Sequence, residues 1–182
     1  MQNDPLIRRW RRIDDPGLEL MALWRSPTGL SVRSTLIHAG EESFGLRYRW
    51  DLDTSWRTRS LRIERTDATD KSLLIERTGD TSWRVDGETR PDLAGCHEVD
   101  VSATPFCNGL AIRRMNGADG ELLALFVDAP GLTCQPSRQR YESLGPRTWR
   151  YVDQGVSDGF TARLDLDEKG LVAKYEHLFE AF

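Results

Sequence analysis

The chain has 182 residues and a mass of 20.8 kDa, a length that fits one domain, residues 1–182, better than two. Its formal charge of −4, from 25 Lys and Arg against 29 Asp and Glu, argues against a nucleic-acid binder, whose affinity comes from neutralising phosphates. The 6 Trp, 6 Phe and 4 Tyr exclude wholesale disorder, because such anchors offset the entropy of ordering. No apolar run approaches the roughly 18 residues of a membrane-spanning helix.

The opening residues, from Met1 to Trp10, lack the apolar centre of a secretion signal. Arg8-Arg9-Trp10-Arg11-Arg12 reads as a basic cluster on a loose N-terminal arm over residues 1–17, with an anionic lipid surface as the alternative use of its charge. Cys96, Cys107 and Cys134 are odd in number and widely spaced, which suits reduced thiols in the cytoplasm.

Further along, short alternating segments recur between turn signals, the pattern of an antiparallel β-protein. Strands are expected at Leu18–Trp24 and Leu30–Ala39. The clearest strand is Ser43–Asp53, where Phe44, Leu46, Tyr48, Trp50 and Leu52 share one face and Arg47, Arg49 and Asp51 the other. Arg57–Thr66 returns beside it, and Leu73–Thr78 with Thr81–Asp86 makes a hairpin. Thr104-Pro105 then offers an N-cap and a first helical proline, and Asn116-Gly117 a stop, giving a short helix at about 105–115 that Gly109 weakens. Strands resume at Leu122–Val127, Gln139–Leu144, Thr148–Asp153, Phe160–Asp167 and Leu171–Tyr175. The fold class is mainly β: a strongly bent antiparallel sheet with one or two short helices.

Two apparent motifs dissolve on inspection. Gly155-Val156-Ser157-Asp158-Gly159 matches a hydrolase nucleophile elbow, but that chemistry needs a helix next, and Phe160–Asp167 alternates with period two. The segment from Asp165 to Glu176 resembles a calcium loop, yet Lys169 replaces an oxygen ligand with a cation and the flanks are strand-like. Cys96, His97 and Cys107 have no metal-ligand spacing, so neither a metal nor a cofactor is expected.

A polar and aromatic face stands out instead. Arg57 and Arg59 share parity with Leu61 and Ile63, so if the aliphatic pair faces the core the arginines do too. An inward arginine needs a partner: a polar or anionic ligand, or a structural carboxylate from Asp51, Asp53 or Asp100. Trp50 and Trp56 lie beside them in sequence and are able to stack on a guanidinium or a sugar.

These residues carry a family resemblance. Trp50-Asp51-Leu52-Asp53-Thr54-Ser55-Trp56-Arg57-Thr58-Arg59 resembles the W-x-T-R strand signature of the "putative glycolipid-binding" family. The run from Asp100 through Ser102, Pro105, Asn108 and Leu110 to Arg113-Arg114-Met115 resembles its central block, and Tyr151, Phe160-Thr161-Ala162 and Asp167 through Phe179 its C-terminal block. The blocks fall in order from about Leu20 to the end. Ala111 and Glu176 stand where the family tends to carry proline. The resemblance implies a spiral β-roll or half-barrel around a cavity, similar in outline to bacterial lipoprotein carriers.

The expected function is non-enzymatic binding of a small amphipathic, glycolipid-like ligand. Trp50 and Trp56 would form walls, and Arg57, Arg59, Arg113 and Arg114, with Asp100 and Asn108, would meet the polar head. The alternatives are an enzyme acting on a lipid or sugar derivative through Asp100 or His97, and a protein-interaction module.

Overall fold

The computed structural model describes residues 4–68 and 70–182. The first half of the chain is a run of strands: β1 (Leu6–Arg12), β2 (Gly17–Ser26), β3 (Gly29–His38), β4 (Phe44–Leu52), β5 (Thr58–Arg65), β6 (Ser72–Arg77), β7 (Trp83–Val85) and β8 (Glu88–Thr89). A turn of 3-10 helix at Pro91–Leu93 leads to β9 (Glu98–Val101) and the helix α1 (Phe106–Met115). The second half is β10 (Gly120–Asp128), β11 (Thr133–Gly145), β12 (Thr148–Asp153), β13 (Thr161–Leu166), β14 (Val172–Tyr175) and β15 (Phe179–Ala181).

All of these strands join one sheet. β1 pairs with β2 on one side and β15 on the other, so the two halves of the chain meet mid-sheet, and β8 and β9 form its edges. Neighbours are antiparallel except β9 and β10, which run parallel. That reversal follows from α1, because a parallel neighbour needs a crossover and the helix supplies it. The sheet curls strongly without closing into a barrel. Bulges between Asp51 and Leu52, Ser143 and Gly145, and Asp165 and Leu166 assist the bend. Across the curl, Arg77 of β6 donates to the His97 carbonyl beside β9 at 2.8 Å.

The concave side holds the core. The Phe44 to Leu52 face is buried as its alternation predicts, with Trp50 at 0% exposure. Trp50 packs edge-on against Phe106 of α1 at 5.4 Å and donates Nε1–H to Thr58 Oγ1 at 2.7 Å. Within α1, a Cβ on Gly109 would sit 3.1 Å from the Gly170 carbonyl oxygen. The helix therefore keeps a residue of poor helix propensity because the β13–β14 turn crosses it closely. Asn116 (φ 51°) and Gly117 (φ 84°) end the helix as expected. At its start Pro105 occupies the cap position, and Thr104 Oγ1 accepts from the Phe106 N–H at 3.3 Å.

Three expectations are corrected. The first concerns the N-terminal arm: Leu6–Arg12 is a strand paired on both sides, and Trp10 is 1% exposed with its indole donating to the Val172 carbonyl at 2.8 Å. The cluster of positive charge masked an alternation in which Leu6, Arg8, Trp10 and Arg12 turn inward. The second is the parity of Arg57 and Arg59. Asp51 pairs with Ser60 but Leu52 pairs with Thr58, so a bulge at Arg59 flips the face. Thr58 becomes the buried residue, and both arginines are exposed. The third is the purely antiparallel sheet, which β9 breaks. The Gly155–Gly159 segment is a turn between β12 and β13, and Asp167 Oδ1 accepts from the N–H groups of Lys169 and Leu171 inside its own turn.

Candidate functional site

β9, the start of α1 and the C-terminal strands enclose a cavity of about 270 Å³. Asp100 and Val101 come from β9, Ser102 and Thr104 from the turn after it, and Asn108 from the first turns of the helix. Tyr151 and Asp153 of β12, Ser157 and Phe160 of the following turn, and Tyr175, Leu178 and Phe179 form the other wall, with Phe126 of β10. Alternation along β12 aims Tyr151 and Asp153 to the same side. The aromatic wall is continuous: Tyr151 lies 6.1 Å from Tyr175 and 6.3 Å from Phe160, and Tyr175 lies 6.2 Å from Phe179.

The polar groups are held by one another. Asp100 Oδ2 accepts from Gln139 Nε2 at 2.5 Å, and Oδ1 accepts from the Cys107 thiol at 2.9 Å. Gln139 Oε1 accepts from the Tyr141 hydroxyl, which accepts from Asn108 Nδ2, each at 3.2 Å. Asp153 accepts from the Tyr151 hydroxyl at 3.2 Å and from the Gly155 N–H at 2.7 Å. The Asn108 side-chain carbonyl makes no hydrogen bond among the described residues. No Arg or Lys lines the cavity. Burial therefore pushes the Asp100 carboxyl above the usual range of 3.8, against the stabilising Cys107 and Gln139 bonds, and nearby Asp153 pushes it further. Burial and the same negative charge raise the Cys107 thiol and the Tyr141, Tyr151 and Tyr175 hydroxyls, so these stay neutral.

Of the residues named from sequence, Asp100 and Asn108 meet at this cavity. The others lie elsewhere. Trp50 is core and is not among the residues that line the cavity. Arg57 is paired on the surface with Asp53 at 2.9 Å and Asp80 at 3.2 Å, the structural alternative considered above, and Arg59 is exposed with no carboxylate within 4 Å among the described residues. Arg114 Nε reaches Glu98 Oε2 at 3.3 Å, beside Arg77 at 3.5 Å. Arg113 stacks on the Trp56 ring at 4.0 Å and donates to the Lys169 carbonyl, while Arg25 lies over the same ring at 5.0 Å. Trp56 itself holds a left-handed backbone, φ 65°. His97 is exposed and is not among the lining residues.

Sequence reasoning missed Asp153, Tyr151, Tyr175 and Phe160 as a group. Their alternation was visible, but which distant strands converge is set by the curl of the sheet, which no local pattern encodes. No group of His, Cys, Asp and Glu among the described residues has metal-site geometry, and no helix there is long and apolar enough to cross a membrane.

Comparison with known proteins agrees with this architecture. A DUF1089 family protein from Pseudomonas aeruginosa, known from its crystal structure, is 30% identical, with a TM-score of 0.76 over 89% of this chain and 91% of that one. No curated protein matches the sequence significantly. The model of a family described as "Putative glycolipid-binding" matches residues 7–181. With that match running almost end to end, the chain belongs to this family.

Proposed function

We propose that the protein binds the sugar head of a glycolipid in the cavity beside Asp100, without chemistry on it. The carrying observation is the composition of the lining: carboxylates, an amide and hydroxyls set against Tyr and Phe rings, with no cation. Sugar hydroxyls donate well to carboxylates and to the free Asn108 carbonyl, and the apolar faces of a sugar ring pack on aromatic rings. A phosphate or carboxylate head would instead find no cation there to meet it. At about 270 Å³ the space is at the small end of ligand sites, suited to a head group with the acyl chains left outside. The family description supports the ligand class.

A second reading, an enzyme acting on a sugar derivative, draws on the raised carboxyl of Asp100 beside Asp153. Against it, both Asp100 oxygens already accept hydrogen bonds from fixed partners. Calorimetric titration separates the ligand classes. Octyl glucoside is expected to bind and octyl phosphate not to bind; the reverse order would overturn the proposal. Nitrophenyl glycosides should be bound and recovered intact, whereas their hydrolysis would establish the enzyme.

A further inference from the structure

We infer that the convex face of strands β1–β5 is a docking surface for an anionic lipid bilayer, an inference that stands on this face alone and not on the cavity. Three aliphatic side chains there are unusually exposed: Leu18 at 59%, Leu20 at 54% and Ile37 at 60%. They are neighbours, since Leu18 pairs directly with Ile37 and Leu20 with the adjacent Thr35. Arginines flank them on both sides. Arg11 pairs with Leu18 and Arg9 with Leu20 from β1, and Arg47 of β4 pairs with Thr35.

The next row is more unusual. Arg33 pairs directly with Arg49, and Arg49 with Arg62, so three arginines stand side by side across β3, β4 and β5. Like charges directly opposite one another destabilise a sheet. Arg49 is relieved by Asp51 at 3.1 Å and Arg62 by Glu64 at 3.0 Å. Arg33 has no carboxylate within 4 Å among the described residues and lies over the Trp24 ring at 5.7 Å. Between these arginines is a shallow depression of about 260 Å³, lined by Arg33, Arg47, Arg49, Arg62 and Glu64. Across the face, six arginines stand against Asp51, Glu64 and Glu180, an excess of three positive charges on a chain of formal charge −4.

Aliphatic residues ringed by arginine match the chemistry of an anionic bilayer surface: lipid phosphates meet the guanidiniums while the aliphatic tips enter the interface. A second copy is the poorer occupant. Because arginine flanks the aliphatic centre on both sides, a face-to-face pair related by a two-fold axis in the plane of contact sets arginine against arginine. A nucleic acid is the poorer occupant as well, because its phosphate backbone offers nothing apolar to cover Leu18, Leu20 and Ile37.

The test is flotation with vesicles of phosphatidylcholine, with and without phosphatidylglycerol, alongside sedimentation of the free protein. Binding is expected only to the anionic vesicles and should weaken with added salt. An arginine near such a surface contributes about fivefold in affinity, so R33Q/R49Q should bind roughly twenty-five-fold more weakly. L18S/I37S should lose about fivefold or more while circular dichroism and melting temperature stay near wild type. Equal binding to neutral vesicles, or unchanged binding by R33Q/R49Q, would overturn the inference. So would retention of inorganic phosphate with no vesicle binding, or a dimer that L18S/I37S returns to monomer.

Discussion

Two carboxylates lie two residues apart on β9 and meet opposite fates. Glu98 is 2% exposed and accepts from the Thr58 and Val99 N–H groups at 3.2 Å, with Arg114 and Arg77 beside it. Asp100 has neutral donors alone and opens onto the cavity. The Glu98 charge is spent on joining β5, β6, β9 and α1 where the sheet curls past itself. That of Asp100 is held in place but not neutralised, which leaves its oxygens strong acceptors for a ligand. A charge in an interior reads as structural when cations answer it, and as a candidate site when they do not.

The largest effect should therefore come from Glu98. Glu98→Ala leaves the Arg77 and Arg114 guanidiniums without their carboxylate and should cost about 3–5 kcal/mol in urea denaturation. A smaller loss would mean that water or another group answers those arginines. Asp100→Asn should act mainly on binding, weakening octyl glucoside by about tenfold or more, the scale of hydrogen bonds to a charged group. If it unfolds the protein as Glu98→Ala does, the contrast between the two carboxylates fails.

The same residue shapes the pH dependence. Burial holds the folded Asp100 carboxyl above 3.8. Between that ordinary value and the raised one, the folded chain binds a proton that the unfolded chain lacks, so this group makes stability fall as pH rises. Asp100→Asn should flatten that part of the stability profile, with the two proteins diverging above about pH 4 in the variant's favour. A profile that keeps its slope would assign the proton to another group.

The smallest effects belong to the surface arginines. Arg57→Ala removes exposed pairs with Asp53 and Asp80 and should cost less than about 1 kcal/mol. Arg59→Ala should shift stability by no more than about 0.5 kcal/mol and leave glycoside affinity unchanged. Loss of binding in Arg59→Ala would return the site to the arginine-rich strand signature.

That last contrast also measures what the sequence made legible. The alternation of Phe44 to Leu52 and a short helix at about 105–115, observed at Phe106–Met115, could be read directly, because period and caps are local. The outward placement of Arg57 and Arg59 could not, because one bulged residue at Arg59 reverses a parity that looks unbroken in sequence. Trp10 was hidden among arginines whose charge outweighed their alternation. Asp100 and Asn108 were recognisable as polar residues of the central block, but their partners Asp153, Tyr151 and Tyr175 arrive from strands forty or more positions away, where only the curl of the whole sheet brings them together.

The most direct test of the cavity as the ligand site is an isotope-edited NMR titration of the intact chain with octyl glucoside. Saturable shifts are expected at the backbone amides of Thr104, Asn108, Tyr151 and Tyr175, and not at Arg57, Arg59 or Trp56. Shifts confined to Trp56 and Arg113, or none at the cavity when the ligand is in excess, would contradict the account.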